Sequence, residues 1–147
     1  MSVTAAQGFV AIAPDVNAAY TGGWGEIPSK EVVRFRQVMD ATITQLALAS
    51  AGARTTFGIA LKGKVDLSRL GLLGHSRGGM NVLRWSKTQN ARSIFLLAPF
   101  FDKAQRIPNV PATLLLGTCD FDTNQDGAGY FSALRGRPRT QPAYQLT

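Results

Sequence analysis

Four short apolar runs, each stopped by proline or glycine, alternate along the chain with stretches of helical spacing or turn composition. Gly8-Phe-Val-Ala-Ile-Ala13 runs into Pro14-Asp15, Leu70-Gly-Leu-Leu73 into Gly74, and Ser93-Ile-Phe-Leu-Leu-Ala98 into Pro99. The fourth, Ala112-Thr-Leu-Leu-Leu116, is opened by Pro111 and closed by Gly117. An unbroken apolar run of this length is the pattern of a strand buried on both faces. Between the first two runs, Ser29 can cap a helix that continues to about Ser50 and ends at Gly52. Phe35, Val38, Met39, Thr42, Leu46 and Ala49 recur there at three- and four-residue steps, giving one apolar stripe for packing on a sheet. A second helix is predicted from Met80 to about Lys87, and residues 1–7 read as the tail of an earlier one. Strand and helix in alternation predict an α/β fold: a mostly parallel sheet with flanking helices.

Length and composition narrow this further. The 147 residues fit a single domain, and 45% hydrophobic with 17% charged residues is the balance of a folded globular protein. The net charge of +7 is spread along the chain rather than blocked, which describes a solvated surface. One cysteine, Cys119, excludes an intrachain disulfide and leaves the compartment open. No apolar run approaches the roughly 20 residues of a membrane-spanning helix, and the amino-terminal residues have no signal-peptide pattern.

The candidate chemistry sits at the second run. Gly74-His-Ser-Arg-Gly78 fits G-x-S-x-G, with a strand before it and a helix after it. In a nucleophile elbow the serine occupies a strained turn, and glycines two before and two after leave room for the close approach of strand and helix. Gly74 and Gly78 meet that need, and Ser76 becomes the candidate nucleophile. The backbone N–H of Arg77, at the start of the helix, is a candidate donor to an oxyanion. After the fourth run comes Gly117-Thr-Cys-Asp120-Phe-Asp122. Catalytic groups of open α/β sheets gather at the carboxyl ends of strands, and a serine nucleophile needs an acid to orient its histidine. Asp120 directly follows the strand and is the first choice; Asp122 is the second. The only histidine is His75, beside the nucleophile, where its ring and the serine hydroxyl point different ways. It reads as a packing residue rather than a base.

Taken together these elements resemble the α/β-hydrolase superfamily. Gly8 to Asp15 is similar to that fold's fourth strand, Leu70 to Gly79 to its fifth strand and elbow, Ile94 to Pro99 to its sixth, and Leu114 to Asp120 to its seventh with the acid. Gly74-His-Ser-Arg-Gly-Gly79 with Cys119-Asp-Phe-Asp122 resembles bacterial serine hydrolases with a G-H-S-R-G-G elbow and a C-D-x-D acid turn. The resemblance implies a partial α/β-hydrolase fold and a carboxylic ester hydrolase acting on a small-molecule ester, with no metal or organic cofactor. The family's second oxyanion donor lies after its third strand, which has no counterpart here. Pro142 to Thr147 resembles the start of the eighth strand, so the family's histidine is expected beyond Thr147. On this reading the chain is an internal piece of a larger hydrolase, carrying Ser76 and Asp120 without a general base and catalytically impaired alone.

Two other patterns bear on function. Asp122-Thr-Asn-Gln-Asp-Gly127 matches the first half of a calcium loop, D-x-N-x-D-G, but position twelve falls on Ala133, where a bidentate glutamate is needed. Arg135-Gly-Arg-Pro-Arg139 contains R-G-R-P, the core of minor-groove A·T binders, and makes a nucleic-acid-binding module the alternative.

Overall fold

The computed structural model describes residues 2–20, 29–53, 57–119, 126–134 and 138–147. The chain divides into two compact units, residues 1–67 and 68–147.

The first unit is helical. Helix α1 (Ser2–Ala6) ends at Gly8, whose φ of 85° takes the chain out of the helix. The predicted strand from Gly8 to Ala13 does not form: these residues are irregular, with Phe9 63% and Val10 41% exposed. A strand exists only as one side of a ladder, and among the described residues of this unit no strand pairs with it. Helix α2 spans Ser29–Ser50, as its periodicity requires. Its end is a Schellman cap: Ala53 N–H donates to Leu48 O and Gly52 N–H to Ala49 O, with Gly52 at φ 95°. The carboxyl-terminal half of the predicted stripe is buried, Leu46 and Ala49 packing with Leu61, flanked by Ile12, Ile43, Phe57, Val65 and Leu67. The irregular stretch after α2 therefore supplies its own core, tied by the Ser50 hydroxyl to Val65 O at 3.0 Å.

The second unit is the α/β fold. Strands β1 (Gly71–His75), β2 (Ser93–Leu97), β3 (Ala112–Leu115) and β4 (Ala143–Leu146) form one sheet in the order β1-β2-β3-β4, every pair parallel. Helix α3 (Ser76–Ser86) joins β1 to β2 and packs on both; α4 (Ala128–Ser132) precedes β4 and packs on it. The register aligns Leu72, Ile94 and Ala112 in one row and Gly74, Leu96 and Leu114 in the next. All six are buried, and with Met80, Leu83 and Tyr130 they make the core of this unit.

The opposite face differs from the expectation of strands buried on both sides. Leu73 is 70% exposed, and Leu97, Tyr144 and Leu146 on the same face are also open. The runs lack polar alternation, yet within this unit α3 packs against the other face. The link from β2 to β3 is short and irregular, and β3 is extended by Leu116 N–H donating to Leu146 O.

Candidate active site

Strand β1 brings the chain to the carboxyl rim of the sheet at His75, and α3 begins at the next residue. No residue connects strand to helix, so Ser76 makes the reversal itself: His75 is extended at φ −108° and ψ 141°, and Ser76 turns to φ 49°. Among the described residues only Ser76 and Ala98 are non-glycines with positive φ. Such a conformation costs on the order of 1–3 kcal/mol and persists only where its surroundings impose it.

Three contacts impose it. A Cβ on Gly74 would stand 2.7 Å from both Gly78 O and Gly79 Cα, so the helix can double back this closely only over a glycine. A Cβ on Gly79 would stand 2.9 Å from Pro99 Cβ and 3.1 Å from Gly74 O. Gly79 is thus a further crowded glycine at the bend, and Gly78 contributes the backbone against which Gly74 packs. Finally, Phe100 N–H donates to Ser76 O at 3.0 Å, fastening the bend to the segment that leaves β2.

Ser76 is half-buried at the amino end of α3, and Arg77 follows it in the first turn. An anionic oxygen at this end is favoured by the helix dipole. His75 is exposed rather than packed. Strand alternation places it with Leu73 on the open face, opposite to the face that α3 covers.

All four strands run the same way, so β1 and β3 end on the same rim. One intervening strand sets them about 10 Å apart. The chain leaving β3 is exposed at Gly117, Thr118 and Cys119. Asp120 and Asp122 lie outside the described residues. So do Asn124, Arg135 and Arg137; of the patterns they belong to, Asp126, Gly127, Pro138 and Arg139 are described.

Gly127, the turn glycine of the calcium-like sequence, has a packing role: a Cβ there would meet Pro99 Cγ at 2.7 Å. Among the described residues no group of three or more His, Cys, Asp or Glu side chains could hold a metal ion. Arg139 donates to Pro108 O and Val110 O at 3.0 Å each, and to Gln141 O at 3.2 Å, which commits its guanidinium to the turn before β3. No helix among the described residues is long and apolar enough to cross a membrane.

A polar cluster unforeseen in the sequence lies behind the bend. Arg84 Nε and Nη2 donate to Asp102 Oδ2 at 3.0 and 2.7 Å, and Gln105 Nε2 donates to the same oxygen at 3.1 Å. Ala104 N–H donates to Asp102 Oδ1 at 2.9 Å. Burial raises the Asp102 carboxyl, but the hydrogen bonds from Ala104, Arg84 and Gln105 outweigh it and hold it below the usual carboxylate value. Asp102 N–H donates to Tyr130 Oη at 3.0 Å, and Tyr130 Oη donates to Phe100 O at 2.9 Å. Burial pushes the Tyr130 phenol up to about 12. The sequence signal for this cluster is Gly127-Ala-Gly129-Tyr130, two glycines framing an aromatic, which marks close packing.

No protein-family model matches the chain, and no curated protein matches it.

Proposed function

We propose that the second unit is the nucleophile-bearing part of a serine hydrolase acting on carboxylic esters, of the α/β-hydrolase type. The observation that carries this reading is Ser76 at φ 49°, set without a linker between a parallel strand and an 11-residue helix. A merely structural bend would be served better by glycine, which takes this conformation without strain. The strain is explained if the hydroxyl has to stand at the helix amino end.

In this reading the Ser76 hydroxyl attacks the acyl carbonyl, the Arg77 N–H donates one hydrogen bond to the oxyanion, and the alcohol leaves. Asp120 orients and supports the imidazole that removes the serine proton. That imidazole is not His75, which faces away. The acyl-enzyme is then cleared by water.

Because the base is the group this chain does not supply, imidazole in solution should substitute for it in part. With p-nitrophenyl acetate, the 147-residue chain should release nitrophenol in a stoichiometric burst that imidazole accelerates beyond its own background reaction. Ser76→Ala should remove the burst. An identical burst in the Ser76→Ala chain would refute the assignment.

A further inference from the structure

The strained bend at Ser76 is joined to a distant polar cluster by an unbroken series of hydrogen bonds. Phe100 stands between the two: its N–H donates to Ser76 O, and its carbonyl accepts from Tyr130 Oη. The phenol oxygen in turn accepts from Asp102 N–H, and the Asp102 carboxylate is held by Arg84 and Gln105. Arg84 is on the last turn of α3, the helix that Ser76 begins. The connection therefore leaves the amino end of α3, crosses the segment after β2, passes through α4, and returns to the carboxyl end of α3.

Packing confines the same segment. Pro99 is fully buried between Gly79 of α3 and Gly127 before α4, at distances that admit no Cβ on either glycine. Phe101 meets the Tyr130 ring edge to face, with centroids 4.9 Å apart, and lies against Gly129. Ala98, just before Pro99, carries the second strained non-glycine backbone, at φ 38°. Residues 98–102 thus form a wedge whose position is dictated from three sides, and the hydrogen bond from Phe100 N–H to the bend falls on the carbonyl of the strained residue. If Ser76 relaxed to right-handed helical φ, that carbonyl would swing away from Phe100 N–H. The wedge opposes that relaxation.

We infer that Tyr130, with the Arg84–Asp102 pair behind it, is a positioning residue for Ser76, acting through the Phe100 peptide to hold the nucleophile bend in its strained form. The inference rests on the reading of Ser76 as a nucleophile, and its backbone part can be tested apart from that reading.

Tyr130→Phe keeps the ring and its contact with Phe101 while removing the phenol from both hydrogen bonds. Arg84→Lys keeps the charge and loses the two-pronged contact with Asp102. Ile94→Val is the control, trimming the β2 core without touching the series. With the isotope-labelled 147-residue chain, three quantities are read: amide exchange at Phe100, the Cα and Cβ shifts of Ser76, and the rate of Ser76 phosphonylation by a fluorophosphonate in imidazole buffer. Tyr130→Phe is expected to lower Phe100 protection about tenfold, to move the Ser76 shifts towards right-handed helix values, and to slow phosphonylation about tenfold. Arg84→Lys should fall between it and the wild type, and Ile94→Val should leave all three where they were.

Unchanged Phe100 protection and Ser76 shifts in Tyr130→Phe would overturn the inference, as would equal changes in Ile94→Val. A wild-type chain that is never phosphonylated at Ser76 would overturn the nucleophile reading instead. Should Tyr130→Phe not fold, Asp102→Asn tests the same series one link further on, with the same expected direction.

Discussion

Ser76 is the residue on which form and function make opposite demands. A left-handed φ of 49° favours glycine, and a hydroxyl at the helix amino end requires a side chain. The strain gives a direct thermodynamic prediction. Ser76→Gly should be more stable than Ser76→Ala by about 1 kcal/mol, since alanine keeps the Cβ that clashes in this conformation while glycine does not. Urea unfolding of the two variants measures the difference. A bend relaxed in solution would reverse the order, because glycine then gains nothing and its unfolded chain is the more disordered. The serine was legible in the sequence because G-x-S-x-G carries its own spacing. Arg84, Asp102 and Tyr130 were not, because each lies on a different element and the fold alone brings them together. Gly127 shows the same limit, its crowding against Pro99 being invisible beside the calcium-like residues around it.

Among the elements, the three glycine- or proline-bounded runs of the second unit became strands because each had a parallel neighbour, and the run from Gly8 to Ala13 stayed irregular because it had none among the described residues. Apolar content specifies that a segment can be a strand; pairing decides whether it is one. Helix α2 needed no partner to be read, since its spacing and Gly52 cap are local. Helix α4 has only five residues, and its attachment depends on Tyr130. That attachment predicts a pH dependence. An unfolded tyrosine ionises near 10, whereas Tyr130 in the fold keeps its proton to about 12. Between those values the unfolded state binds fewer protons than the folded one, so stability falls as pH rises through the window. Below pH 10 the contribution is fully present. Urea unfolding at pH 8, 10 and 11 should show a steeper alkaline loss in the wild type than in Tyr130→Phe. Parallel losses would mean that Tyr130 titrates like a solvated phenol.

At the scale of the whole molecule, the parallel sheet orders the candidate chemistry. Parallel direction sends β1 and β3 to one rim, so the serine at the end of the first and the chain leaving the third, described as far as Cys119, reach the same edge from a sequence separation of more than forty residues. The sequence alone carries this as an α/β pattern, because strand–helix alternation dictates parallel pairing. The uncovered face was not readable: Leu73 and Leu72 are identical in sequence terms, and only α3 packing on one side of β1 separates a buried residue from one that is 70% exposed. Placing His75 on that open face also removes the only imidazole of the 147 residues from the helix amino end.

The central claim is that Ser76 is a nucleophile rather than a bend with an incidental hydroxyl. Intact-mass analysis after exposure to a fluorophosphonate, followed by peptide mapping, tests it most directly. The account predicts one adduct per chain, on the peptide containing Ser76, formed faster as imidazole is raised and absent from Ser76→Ala. Adducts scattered over lysines and tyrosines, equal in wild type and Ser76→Ala, would contradict it.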